Sequence, residues 1–127
     1  MNPVGTYQLE SFVIEQADGT RADWGRNMRG LLIYTSSGHV SVSINRDIEI
    51  LESGDPQDVL DSMLFYAGTY QIHGNEIHHH VTIASNPDRI GKTLTRSLSF
   101  DSQLLTLTSP FESFGRAIVQ WRKYELV

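Results

Sequence analysis

Apolar and polar residues alternate on both sides of Gly74-Asn75 across residues 65–83, which is the pattern of two half-buried strands joined by a tight turn. A two-residue loop led by Gly suits the primed turns that match strand twist, and it predicts that residues whose numbers sum to 149 face each other. One side of this hairpin then carries Tyr66, Gly68, Tyr70 and Ile72 with Ile77, His79, Val81 and Ile83. The other carries Ala67, Thr69, Gln71 and His73 with Glu76, His78, His80 and Thr82. One side is apolar and the other wet, with His79 as the misfit on the apolar side, opposite Tyr70.

The same period recurs along the chain. Residues 5–15 read as a strand ending at the turn Asp18-Gly19, and residues 20–29 follow neither period and read as a long connection. A second hairpin spans residues 30–35 and 39–44, with Gly38 in the left-handed position of a three-residue loop and Leu32, Tyr34, Val40, Val42 and Ile44 on the inner side. Asp55-Pro56-Gln57-Asp58 has the form of a helix start, with Asp55 as cap and Pro56 at the first helical position, and Val59, Leu60, Met63 and Leu64 follow at helical spacing. After the break at Asn86-Pro87-Asp88, residues 91–100 and 103–109 form a hairpin through Asp101-Ser102, placing Leu94, Arg96, Leu98 and Phe100 on one side with Leu105 and Leu107. Residues 116–126 read as a closing strand with Ala117, Val119 and Trp121 toward the core. The expected fold is all-β: an eight-stranded antiparallel up-and-down barrel with one short helix, or, as second choice, a two-sheet sandwich.

Composition narrows the functional classes. At 127 residues one domain is expected, and 10 Lys plus Arg against 15 Asp plus Glu, a net charge of −5 without a basic run, argue against nucleic acid as a partner. The absence of Cys removes disulfides, thiolate nucleophiles and zinc–thiolate sites. No apolar run reaches the ~18 residues of a membrane span and no signal segment is visible, so a cytoplasmic protein with no membrane contact is expected. A homodimer stays open.

Several separated blocks resemble one family. Gly5-Thr6-Tyr7-Gln8-Leu9, the run from Gly25 through Gly30-Leu31-Leu32-Ile33-Tyr34 to Val42, Tyr66-Ala67-Gly68-Thr69-Tyr70 and His79-His80-Val81 resemble the lipocalin-like domain family of bacteria and fungi, in order and spacing. The resemblance implies a small calycin-type barrel with a ligand cavity; a few relatives in natural-product pathways look like cyclases or isomerases that work without cofactors. Against the secreted lipocalins, the Gly-x-Trp start reads Gly5-Thr6-Tyr7 and Cys is absent. The resemblance also implies that Arg122 stacks on Tyr7 at the closed end, a structural role.

The candidate chemistry is sparse. His78 and His80 share a wet side, but Glu76 lies four residues from His80, about 13 Å at roughly 3.3 Å per residue, so one strand cannot supply three ligands and no metal or other cofactor is expected. His79 is either a core histidine satisfied by Tyr70 or backbone, or a cavity-wall donor or general acid/base. Arg96 has no acidic partner on the inner side of its hairpin and suits a ligand carboxylate, unless it sits at the rim. Tyr34, Tyr66 and Tyr70 are packing residues with a polar tip that a ligand can use. The expected function is binding of a small, largely apolar molecule with an acidic or carbonyl end, held by His79, Tyr70, Arg96, Tyr66 and Tyr34. The alternatives are a cofactor-independent isomerase or cyclase in which His79 moves a proton and Tyr70 or Arg96 steadies an oxyanion, and an interaction module with a filled core.

Overall fold

A computed structural model describes residues 2–47 and 56–125. Asp55, the expected helix cap, and Leu126, the expected end of the last strand, lie outside the described residues, as do the side chains of Asp58 and Val59. The strands are β1 (Gly5–Glu15), β2 (Arg21–Asp23), β3 (Arg26–Tyr34), β4 (His39–Asp47), β5 (Met63–His73), β6 (Glu76–Ala84), β7 (Thr93–Asp101), β8 (Leu104–Thr108) and β9 (Arg116–Lys123). Each pairs antiparallel with its neighbour in the order β2-β1-β3-β4-β5-β6-β7-β8-β9, and β1 also pairs with β9. The β2 strand is a three-residue annex on the end of β1, so eight strands close a barrel and leave no room for the sandwich alternative.

The interior follows from alternation. Leu32, Tyr34, Val40, Val42 and Ile44 are all buried, as period two requires of the β3–β4 hairpin, and Gly38 turns it at φ +87°. Tyr7, Ile77, Val81, Leu105, Leu107 and Trp121 complete the centre. At the seam, Glu15 is 7% exposed, and its carboxylate accepts from Arg21 on β2 and Arg116 on β9, both at 2.6 Å, so one side chain ties three strands together.

Several boundaries differ from the sequence reading. The connection at 20–29 contains β2 and the start of β3, split at Trp24-Gly25, where Trp24 stacks on Phe12 at 5.0 Å under the Arg46 guanidinium. Ring stacking, not periodicity, organises that stretch. The helix α1 covers only Pro56–Asp61; Met63 and Leu64 instead open β5, opposite Asn45 and Ile44 of β4. The β7–β8 loop is Ser102-Gln103 and not Asp101-Ser102, because Ser102 takes φ +57° and Asp101 still pairs with Leu104. That shifts the register by two and leaves the side-chain parity intact. Arg122 does not stack on Tyr7: it faces outward beside Gln8 and donates twice to Glu10, while Lys123, directly opposite Tyr7, lies over the ring at 6.0 Å.

The sum-149 register of the central hairpin holds from the turn to Gly68↔Val81, and then a β-bulge changes it. Ala67 pairs with Ile83 and Tyr66 with Ala84, leaving Thr82 as the extra residue. Ile83, expected inside, is therefore 65% exposed. Among the described residues no helix is long and apolar enough to cross a membrane.

Candidate functional site

The misfit histidine defines the site. His79 is fully buried on β6, and strand curvature brings it between two tyrosines from different hairpins. Tyr34 Oη lies 2.6 Å from Nε2, and Tyr66 Oη lies 2.7 Å from Nδ1, so both ring nitrogens are satisfied. Tyr70, the expected partner, sits opposite His79 in the ladder but donates its hydroxyl to Thr35 O at 2.9 Å, with its ring edge-on to Tyr34.

Burial sets the protonation of this chain. Desolvation, with the nearby Arg96 charge second, lowers His79 from 6.5 to about 3, so the imidazole is neutral at physiological pH. Desolvation likewise raises Tyr66 to about 12, against the opposing pull of Arg96, and pushes Tyr34 well above 10. All three groups are neutral.

Beside the chain lies a hollow of about 60 Å³. Its apolar wall includes Phe12, Ile44, Leu64, Leu107, Val119 and Trp121, and its polar lining comes from Tyr66 and Arg96, with the indole of Trp121 as a further donor type. Arg96 is half-buried, donates Nη1 to Thr95 O at 2.9 Å, and forms no ion pair among the described residues. Of the five residues singled out in the sequence, Tyr66 and Arg96 border the hollow; His79 reaches it through Tyr66, and Tyr34 stands behind His79. Tyr70 lies farther round the wall. Leu64 also borders a wider cleft of about 400 Å³ at the barrel end, where Trp24, Arg46, Leu60 and Arg89 gather.

The outer histidines stay apart from this interior. His80 is exposed, and its Nδ1 lies 3.3 Å from Thr93 Oγ1. The His78 ring sits against His73 at 4.4 Å, with Nε2 3.9 Å from Glu76. Sequence reasoning missed Phe12 and Leu64 as wall residues. Phe12 has the opposite parity to Tyr7 and turns inward only because a register shift between Leu9 and Ser11 reverses the faces of β1; Leu64 was hidden by the helical reading.

The geometry agrees with the comparisons to known proteins. A lipocalin-like protein from Bacteroides uniformis superposes with a TM-score of 0.54 at 19% identity, covering 95% of this chain and 97% of its own. An uncharacterized protein from Bacteroides eggerthii gives 0.51 at 16% identity, covering 97% and 100%. A redesigned β-barrel gives 0.51 at 12% identity, covering 96% and 91%. No functionally curated protein matches the chain. At these identities the structures speak for the fold alone, whereas the sequence profile of the lipocalin-like domain matches residues 4–124, nearly the whole barrel: the chain belongs to the lipocalin-like domain family.

Proposed function

We propose that this barrel binds a small, largely apolar molecule with an acidic or carbonyl end, seated in the interior hollow with that end at Tyr66 and Arg96. The observation that carries the reading is the contrast within the hollow: an otherwise apolar lining that includes Tyr66 and Arg96, whose guanidinium forms no ion pair among the described residues. A half-buried cation without a counter-ion is partly desolvated at a cost, and a ligand oxyanion relieves that cost.

Size limits the ligand. About 60 Å³ is the liquid volume of roughly two waters at ~30 Å³ each, room for only a few heavy atoms and well below the ~300 Å³ where drug-sized pockets begin. With at most ~1.5 kcal/mol per heavy atom, such a ligand binds no tighter than about 1 μM.

Proton transfer by His79 fits less well. Both its nitrogens are held by tyrosines, and burial keeps it neutral, so a reaction in this hollow would have to use Tyr66 and Arg96.

Titration of the ¹⁵N-labelled protein with propionate, isobutyrate and butanone tests the reading. Amide shifts are expected at Tyr66, Arg96 and the wall residues, and Arg96→Met is expected to weaken the carboxylates roughly tenfold or more while changing butanone less. Absence of binding by all three probes, or shifts confined to the outer surface, would overturn it.

A further inference from the structure

Tyr34, His79 and Tyr66 together carry three polar hydrogens, one on each hydroxyl and one on the neutral imidazole, but the chain contains two hydrogen bonds. One hydroxyl proton is therefore left over, and which end carries it depends on the His79 tautomer. With Nε2 protonated, His79 donates to Tyr34, Tyr66 donates to Nδ1, and the leftover proton sits on Tyr34. Tyr34 is 1% exposed, its ring packs against those of Tyr7 and Tyr70, and its hydroxyl has no second partner among the described residues. With Nδ1 protonated, Tyr34 donates to Nε2, His79 donates to Tyr66, and the leftover proton sits on Tyr66, a residue that lines the hollow, where a water or ligand oxygen has room to accept it. A buried donor without an acceptor is expensive, so the second arrangement prevails.

We infer that Tyr34 is a specificity-determining residue that acts through His79: it fixes the Nδ1–H tautomer, makes Tyr66 a donor to the hollow, and so selects ligands whose oxygen only accepts, a ketone or carboxylate, over alcohols and amines of the same size. This rests on the reading of the hollow as a ligand site. Arg96 and Trp121 add donors, and the remaining wall residues are apolar, so an alcohol or amine proton would find no side-chain acceptor there. Tyr34 is a positioning residue, since Tyr66 lies between His79 and the ligand.

The tautomer can be read without a ligand. Long-range ¹H–¹⁵N correlation of His79 in the unliganded protein near pH 7 is expected to show Nδ1 protonated and Nε2 bare; the reverse would overturn the inference even if ligands bind. Butanone and 2-butanol, matched in shape and both uncharged, supply the second readout. The ketone is expected to bind roughly tenfold tighter, and Tyr34→Phe, which leaves His79 one unpaired nitrogen in either tautomer, is expected to narrow that preference severalfold. An equal preference in both proteins would sink the role of Tyr34. Failure of both probes to bind, with the tautomer as expected, would count against the ligand site while leaving the polarity of the chain established.

Discussion

Between pH 7 and pH 5 this barrel is expected to lose about 2 kcal/mol of stability through His79 alone. The sign follows from where protons bind. In the unfolded chain the imidazole takes a proton near its ordinary 6.5, whereas in the barrel burial, followed by the Arg96 charge, delays protonation to about 3. Between those values protons bind only the unfolded chain, so acid draws the equilibrium toward it. The contribution of neutral His79 is complete above about 6.5 and is lost progressively as the pH falls through about 3, with a full span on the order of 5 kcal/mol.

Urea unfolding at pH 7 and pH 5 measures this effect, provided the control folds. His79→Leu alone strands two buried hydroxyls, at roughly 1–3 kcal/mol each, and is expected to be markedly destabilised at pH 7. Replacing all three members, in Tyr34→Phe/His79→Leu/Tyr66→Phe, removes the polar groups together and is expected to be more stable than the single variant. The triple variant should also lack the extra loss between pH 7 and pH 5. Equal pH dependence in the wild type and the triple variant would show that the imidazole is not held neutral by burial.

Parity was the legible part of this molecule. Short loops pinned by Gly38 and Gly74 fix which side chains share a face, so Tyr34, Tyr66, His79 and Arg96 could be placed inside from alternation. The shift of the 101–104 turn by one residue at each arm did no harm, because a register change of two preserves faces. What alternation could not reveal was any contact made across the barrel. Tyr34 and His79 are 45 residues apart and meet only when curvature closes the sheet, so the sequence pointed to the ladder neighbour Tyr70 instead. Bulges were equally hidden. The one in β1 reversed Phe12, and the one in β6 reversed Ile83, since a single extra residue changes parity without leaving a compositional mark. The helix was overextended for a related reason: Leu64 fits helical spacing from Leu60 and also the two-residue period of Tyr66, Gly68 and Tyr70.

Gly68→Ala is expected to be among the most damaging single-methyl additions to the barrel, costing roughly 2–4 kcal/mol and lowering the midpoint of thermal unfolding by about 8–15 °C. Gly68 has an ordinary strand conformation, so backbone freedom is not the reason; a β-carbon there would lie 1.8 Å from the carbonyl oxygen of His80 and 3.1 Å from the nitrogen of Thr82. Backbone cannot rotate out of the way as a side chain can. The close approach is the bulge itself, in which Thr82 is squeezed out of the ladder and donates its hydroxyl to Ala67 O. Without the bulge, the regular register would bring Ile83 in opposite Tyr66, where the smaller Ala84 now sits, and would crowd the hydroxyl that joins His79 to the hollow. A matched control separates packing from conformation. At Gly74 a β-carbon meets nothing within 4 Å, but φ is +63°, so Gly74→Ala is expected to cost only about 1 kcal/mol. Thermal and urea unfolding of the two variants rank the effects directly, and the ¹⁵N spectrum of Gly68→Ala is expected to show the His79 ring resonances displaced while those of Gly74→Ala stay in place. A Gly74→Ala loss equal to or larger than that of Gly68→Ala would mean that the β5–β6 ladder can relax around the added methyl, and that the space beside Tyr66 does not depend on the bulge.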